Sequence, residues 1–182
     1  MACSHSPLIN RAVSDSLYQQ SVLIAKVHQW QAIDRRAKAT PITGYKVALA
    51  GPAAQIMFGL DSPVVGALFS DTVMASPQRI DSSKFERLAF EADLLAVVKS
   101  VDINQASSIE EVAEHIAYLM AFVELPLLSV SPSPDAGPDF LLSNAAVQWG
   151  VSGTKIPASA DKDFIASLAA MKVESFNAKG EL

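Results

Sequence analysis

Two acidic residues, Glu91 and Asp93, stand two positions apart in the otherwise apolar segment 90–98. In a β-strand, residues two apart point to the same face and lie about 7 Å from each other. A third acid, Glu124, lies in another apolar segment, 121–126, which we also expect to form a strand. If the two strands are neighbours, three carboxylates can converge, and carboxylate oxygens are the ligands that Mg²⁺ prefers. The pattern therefore predicts two strands that share a magnesium site on one face.

An acidic pair in an alternating strand is more often simply the solvent-facing side of that strand. The residues around this pair favour the metal site instead. Leu95 and Val97 continue the same face, and aliphatic or aromatic residues occupy most of both flanks. We therefore expect the strand to be buried on both faces, where carboxylates need a partner or a metal ion.

The composition is typical of one compact domain with a hydrophobic core. Of 182 residues, 50% are hydrophobic, and the mean hydropathy is +0.25. A net charge of −5 with scattered Lys and Arg argues against nucleic acid or an anionic membrane as partner. The single cysteine, Cys3, excludes an internal disulfide and a thiolate metal site. Neither a secretory leader nor a membrane-length apolar segment is recognisable, so we expect a soluble, cytoplasmic protein.

The first half of the chain predicts helices and strands in alternation. Ser14 or Asp15 can cap a helix that runs to about Lys38, before Pro41 prevents its continuation. The predicted elements that follow are a strand over 44–49, a short helix over 52–58 closed by Gly59, a strand over 64–69 and a strand over 88–98.

The second half begins with a capping box, in which Ser107 or Ser108 precedes Glu110 or Glu111. It predicts a helix whose core positions extend to Met120, just before the strand that contains Glu124. We expect residues 129–139 to form a proline-interrupted surface loop, and ordered structure to resume over 145–151. Residues 150–155 lack the spacing of a phosphate-binding loop and are predicted to be an ordinary loop.

The C-terminal residues resemble a β-hairpin that is cut short. Residues 171–176 predict a strand, 177–180 a turn, and 181–182 the start of a return strand. An unpaired strand edge promotes association, so we expect a homo-oligomer or a second chain that completes the sheet.

Several short motifs together resemble the 2-keto-4-pentenoate hydratases, which belong with the 4-oxalocrotonate decarboxylases in the fumarylacetoacetate hydrolase superfamily. Each motif alone is weak, but they occur in order and colinearly over residues 44–182. The matching segments are Gly44–Leu49, Met57–Pro63, Gly66–Asp71, Phe90–Leu94, Phe122–Glu124 and Gly180–Glu181.

The resemblance implies an α+β fold built on a mixed β-roll with flanking helices, here incomplete at its C-terminus. It also implies two parts: an N-terminal helical segment over 1–43 and a partial catalytic domain over 44–182.

The resemblance further implies that Glu91, Asp93 and Glu124 hold Mg²⁺ or Mn²⁺, and that the substrate is a small 2-oxo acid such as a 2-oxo-4-enoate. The implied activity is that of a hydratase or decarboxylase, a lyase that passes through a metal-stabilised enolate. Lys46 matches the active-site lysine of the family, with a role in binding the substrate carboxylate or in proton transfer. Asp71 matches the second acid of the family's Leu-Leu-Asp-Asp turn and would orient Lys46 or a water molecule.

Two alternatives stay open. One is a hydrolase of the same superfamily that cleaves a C–C bond. The other is a non-catalytic partner subunit that keeps the fold and the metal. The second is favoured by the shortened C-terminal hairpin and by the segment 144–148, where the family carries Asn-Ala-Ser-Ser-Gly. Val64 and Val65 also depart from the family pattern, in which an acid is common at this place.

Overall fold

The computed structural model describes residues 7–174, 176, 179 and 180, and of residues 7–13 it describes only the backbone. Its elements combine helices with antiparallel and parallel strands, so the predicted α+β class with mixed strands is confirmed. In chain order they are α1 (Pro7–Ala37), β1 (Ile42–Ala48), α2 (Pro52–Met57), β2 (Val64–Phe69), β3 (Val73–Ala75), β4 (Glu91–Val98), α3 (Ile109–Glu114), β5 (Ile116–Leu125), α4 (Gly137–Leu142), β6 (Trp149–Pro157) and α5 (Lys162–Ala169).

The chain is divided into two compact units, each held together by its own internal contacts. The first contains the described residues up to 72, together with 85–88 and 126–148. The second contains 73–84, 89–125 and the described residues from 149 onwards.

In the first unit, β1 and β2 form a two-stranded antiparallel sheet, and α1 packs against β2 and against α4. The helix spans 31 residues and begins earlier than the predicted cap at Ser14 or Asp15, while its end agrees within one residue. Its buried stripe contains Val22, Ala25 and Ile33, and the Gln29 side chain donates to the Val65 carbonyl at 2.9 Å. No helix in the described part of the chain is both long and apolar enough to span a membrane.

The short elements of this unit follow the sequence closely. The strand over 64–69 and the helix from Pro52 were predicted at these positions. Pro52 occupies the first turn of α2, where its missing N–H costs nothing, and Gly59 adopts the left-handed φ of +65° that ends the segment. Part of the predicted loop over 129–139 is instead helical, because α4 begins at Gly137 and buries Phe140 and Leu141.

In the second unit, four strands form one mixed sheet in the order β3-β6-β5-β4. β3 and β6 are parallel, whereas β5 is antiparallel to both of its neighbours, β6 and β4. Over the described residues this sheet is open, with β3 and β4 at its edges. The more specific β-roll therefore stays a prediction.

Several predictions for this unit are wrong. The helix predicted to extend to Met120 ends at Glu114, and its second half belongs to β5. Residues 150–155, predicted to be a loop, lie in β6. β4 is also not buried on both faces, because its position at the sheet edge leaves Glu91, Asp93 and Leu94 exposed.

The predicted C-terminal strand is wrong where it can be compared. Residues 171–174 and 176 adopt no regular secondary structure. The remainder of the predicted hairpin at 175, 177–178 and 181–182 lies outside the described residues.

Candidate metal centre

The register of β4 against β5 places three acidic residues on one face of the sheet. Glu91 is directly opposite Glu124, and Asp93 is opposite Phe122. Directly opposed residues of an antiparallel pair share a face, and residues two apart on one strand share it too. Glu91, Asp93 and Glu124 therefore project from the same side.

The side chains converge as well as the backbone positions. Each of the three residues offers one carboxylate oxygen, and these oxygens all lie within 4.8 Å of one another. Two ligands on opposite sides of a cation are separated by twice the metal–oxygen distance, which is about 4.2 Å for Mg²⁺ and about 4.8 Å for Ca²⁺. The three oxygens are therefore close enough for one divalent cation to draw them together as ligands after side-chain rotation.

The three carboxylates differ in their exposure to water. Glu124 lies in the second strand from the edge, where only 3% of its surface is exposed, whereas Glu91 and Asp93 on the edge strand are exposed. A set of three carboxylate oxygens, with neither sulfur nor imidazole among them, suits a hard cation such as Mg²⁺, Mn²⁺ or Ca²⁺ better than Zn²⁺. The chemistry of the donor set thus fits the ion that the sequence predicts.

Two neighbours of the acids were not identified from the sequence. Gly150 of β6 lies directly opposite Glu124, on the side away from Glu91. A Cβ atom at Gly150 would overlap Cζ of the Phe122 ring and lie 2.6 Å from its Cε2, so the ring occupies the place of the missing side chain. The available signal was Gly150 itself, since a glycine inside a strand often marks a close approach.

Lys46 belongs to the first unit, where it is half-buried in β1 and lies opposite Gly66 of β2. The backbone around Gly66 is crowded, because a Cβ atom there would lie 2.6 Å from the Asn144 carbonyl oxygen. This strand position is well defined, and the role of Lys46 in substrate binding stays a prediction.

Asp71 belongs to the same unit but lies on its surface. Its carboxylate accepts a hydrogen bond from the Arg36 guanidinium at 2.8 Å, and that guanidinium also stacks 4.1 Å from the centre of the Phe69 ring. Phe69, two residues before Asp71, pairs with Ile42 at the start of β1. Lys46 lies four residues further along β1, so Ile42 and Lys46 are about 13 Å apart along the strand. The structure thus gives Asp71 a partner in α1, and the orienting role stays a prediction.

Comparison with known proteins places this chain by its fold. No protein-family model matches the sequence, and no curated protein matches it either. Two solved structures of 4-oxalocrotonate decarboxylase from Pseudomonas putida G7 are similar, one complexed with magnesium and adipate and the other with calcium and acetate. Their TM-scores are 0.61 and 0.59 at 21% and 20% sequence identity, and each match covers 75% of this chain.

The chain therefore has the fold of a 4-oxalocrotonate decarboxylase over three quarters of its length, which confirms at the level of fold the resemblance carried by the sequence motifs. It spans about half of the neighbours' own length, 52% in both cases.

Proposed function

We propose that this chain carries the divalent-cation site of a metal-dependent lyase that acts on a small 2-oxo acid, such as a 2-oxo-4-enoate. Glu91, Asp93 and Glu124 would hold Mg²⁺ or Mn²⁺. The observation that carries the proposal is the convergence of their three carboxylate oxygens within 4.8 Å. The likeness to a decarboxylase whose structures contain magnesium or calcium supports it.

When bound, the cation would act as a Lewis acid that polarises the 2-oxo group and the adjacent carboxylate of the substrate. The three protein carboxylates fill half of the six positions that Mg²⁺ prefers. The remaining positions would be available to two substrate oxygens and a water molecule. Glu91 and Asp93 are exposed, so a substrate could reach the cation site from solvent on their side.

The same sheet face continues from the acids into apolar residues. Leu95 follows Asp93 on β4, and Met120 lies opposite Leu95 on β5, where both are half-buried. An unsaturated carbon chain attached to the 2-oxo acid would contact this surface without leaving polar groups unpaired. The face therefore suits a substrate that is polar at one end and apolar at the other.

Lys46 is the residue that we propose for charge pairing with the substrate carboxylate or for proton transfer, and Asp71 for assisting it. A Lys ammonium can perform either role, since it carries three donors and a titratable proton. We also propose that the chain divides into a helical segment over 1–43 and a catalytic part over 44–182. The same proposal includes assembly with further copies of the chain or with a completing chain.

The proposal is tested by cation binding and by turnover on the same preparation. Calorimetry should detect Mg²⁺ and Mn²⁺ binding to the wild-type chain and greatly weakened binding to Glu124→Gln, which keeps the volume of the side chain and removes its charge. Turnover of a panel of 2-oxo-4-enoates and 4-oxalocrotonate should require added Mg²⁺ and disappear with a chelator.

The products distinguish the alternatives. A new hydroxyl group in the NMR spectrum indicates hydration, released CO₂ indicates decarboxylation, and two organic fragments indicate hydrolysis of a C–C bond. Cation binding without turnover of any substrate would favour the non-catalytic partner subunit. Failure of the wild-type chain to bind Mg²⁺, Mn²⁺ or Ca²⁺ at millimolar concentration would overturn the proposal.

A further inference from the structure

The ring of Phe122 packs over Gly150, in the space that a side chain at position 150 would occupy, and lies beside the acids. Phe122 is only 6% exposed, and its ring tip stands where a side chain at position 150 would stand. Because directly opposed side chains are about 5 Å apart at Cβ, this tip lies beside the side chain of Glu124. Glu124 thus has Glu91 on one flank and an aromatic ring on the other.

We propose that Phe122 is a positioning residue of the cation site. Its ring, for which Gly150 leaves space, shields one side of the Glu124 side chain from water. This shielding sets the affinity and the hydration of the bound divalent cation. This inference rests on the proposed function, since it assigns a role toward the same ion.

The physical reason is that a carboxylate must lose water before it can ligate a metal ion. In a folded chain whose Glu124 is already 3% exposed, most of that loss has taken place before the cation arrives. By excluding water, the ring also lowers the local dielectric constant, which strengthens the attraction between carboxylate and cation. Apolar surroundings of a metal site control solvent access in this way.

The ring shields the carboxylate cluster from water on one side only. Asp93, which is directly opposite Phe122, and Glu91 are exposed. Water would therefore reach the carboxylates from the side of β4, where Glu91 and Asp93 are exposed, whereas Glu124 is shielded. The expected consequence of removing the ring is an additional path for water to the ion, beside Glu124.

The test uses Phe122→Leu and Gly150→Ala in the full chain. Leu is shorter than Phe and leaves Glu124 open to water, whereas Ala at position 150 pushes the ring aside. The matched control is Phe140→Leu, since Phe140 is also 6% exposed but packs against Phe58 in the first unit. Both test variants should weaken Mg²⁺ binding in calorimetry by about tenfold, while the control changes only the stability.

A double variant separates the proposed contact from a general loss of packing. If Gly150→Ala acts through the ring, it weakens Mg²⁺ binding when residue 122 is Phe and has no further effect when residue 122 is Leu. Water-proton relaxation of bound Mn²⁺ gives an independent reading, and it should report more rapidly exchanging water in Phe122→Leu than in the wild type or the control.

The outcomes distinguish the two hypotheses. Unchanged Mg²⁺ affinity and unchanged Mn²⁺ relaxation in a folded Phe122→Leu variant would overturn this inference and leave the proposed function intact. Equal losses of affinity in Phe122→Leu and Phe140→Leu would also overturn it, because they would reflect stability alone. Absence of cation binding in the wild type would overturn the proposed function and, with it, this inference.

Discussion

Glu91 and Glu124 lie directly opposite each other across the antiparallel pair of β4 and β5. Like charges in this position destabilise a sheet by about 0.2–1 kcal/mol relative to neutral pairs. Asp93 adds a further carboxylate within 4.8 Å of both. The sheet therefore has an arrangement that is unfavourable for folding alone and favourable for holding a cation.

Glu91→Gln should separate these two properties. We expect the variant to be more stable than the wild type by up to about 1 kcal/mol in the presence of a chelator, because the opposed charges are gone. Its affinity for Mg²⁺ should fall at the same time. Urea unfolding and calorimetry measure the two effects. Glu114→Gln, an exposed acid at the end of α3, is the control for the change in net charge and should alter neither.

Mg²⁺ should stabilise the wild-type chain against unfolding, because a ligand that binds only the folded state shifts the equilibrium. The expected gain is about 2.7 kcal/mol at a concentration one hundred times the Kd. Thermal unfolding with and without Mg²⁺ measures it. Glu124→Gln should lose most of the gain, and Glu114→Gln should retain it. An equal gain in Glu124→Gln would place the cation elsewhere on the chain.

The role of Lys46 can be separated from cation binding. Lys46→Met keeps most of the apolar stem and removes the ammonium, so we expect turnover to fall at least about a hundredfold if Lys46 transfers a proton. Mg²⁺ affinity should stay at the wild-type value, since Lys46 is not among the converging acids. Steady-state kinetics and calorimetry on one preparation test both parts. Loss of Mg²⁺ binding in this variant would contradict the separation of roles.

Asp71 should contribute little to stability through its ion pair with Arg36. Both side chains are about half exposed, 55% for Asp71 and 43% for Arg36, and such pairs contribute about 0.2–1 kcal/mol. Asp71→Asn should therefore lower the free energy of unfolding by this small amount, and Arg36→Gln by about 0.5–1 kcal/mol more, because it also loses the stacking on Phe69. If Asp71 also assists Lys46, turnover falls in Asp71→Asn and not in Arg36→Gln. Equal turnover in both variants would leave Asp71 with the surface ion pair alone.

Local patterns in the sequence were sufficient for the acidic face. The period of two in segment 90–98 fixes Glu91 and Asp93 on one side of a strand, whatever the strand packs against. The convergence with Glu124 depends on the register between β4 and β5, which the sequence suggested only through the expectation that the strands are neighbours. The position of β4 at a sheet edge is a property of the whole topology, and for this reason its exposure was not predicted.

The two largest errors have identifiable physical causes. The capping box is present at the predicted place, where the Ser108 hydroxyl accepts a hydrogen bond from the Glu111 N–H at 3.1 Å. Ile116 and Leu119 have the spacing of a helix, but they lie in β5, which pairs with β4 and β6. Tertiary pairing overrides local propensity in such cases. β6 was missed because Gly150 and Gly153 weaken its strand pattern. Gly150 is explained only by a ring that comes from another strand.

Asn144 provides a further test, because it connects a turn noted in the sequence with the strand opposite Lys46. Its side-chain oxygen accepts from the Ala67 N–H and its NH₂ group donates to the Ala67 carbonyl, each at 2.9 Å. Asn144, Ala145 and Ala146 all have left-handed φ values, between +55° and +60°, and Asn tolerates this region better than Ala. The amide thus replaces a strand along the outer edge of β2.

Asn144→Ala should therefore lower the free energy of unfolding by about 2–4 kcal/mol, since it leaves both backbone groups of the fully buried Ala67 without these bonds. Asn144→Gly loses the same bonds but accepts the left-handed backbone, so we expect it to be more stable than Asn144→Ala by about 1 kcal/mol. Urea unfolding measures both differences. Wild-type stability in Asn144→Gly would show that β2 is held without the amide. A loss in both variants would show that the turn fixes β2, and with it the strand position that faces Lys46.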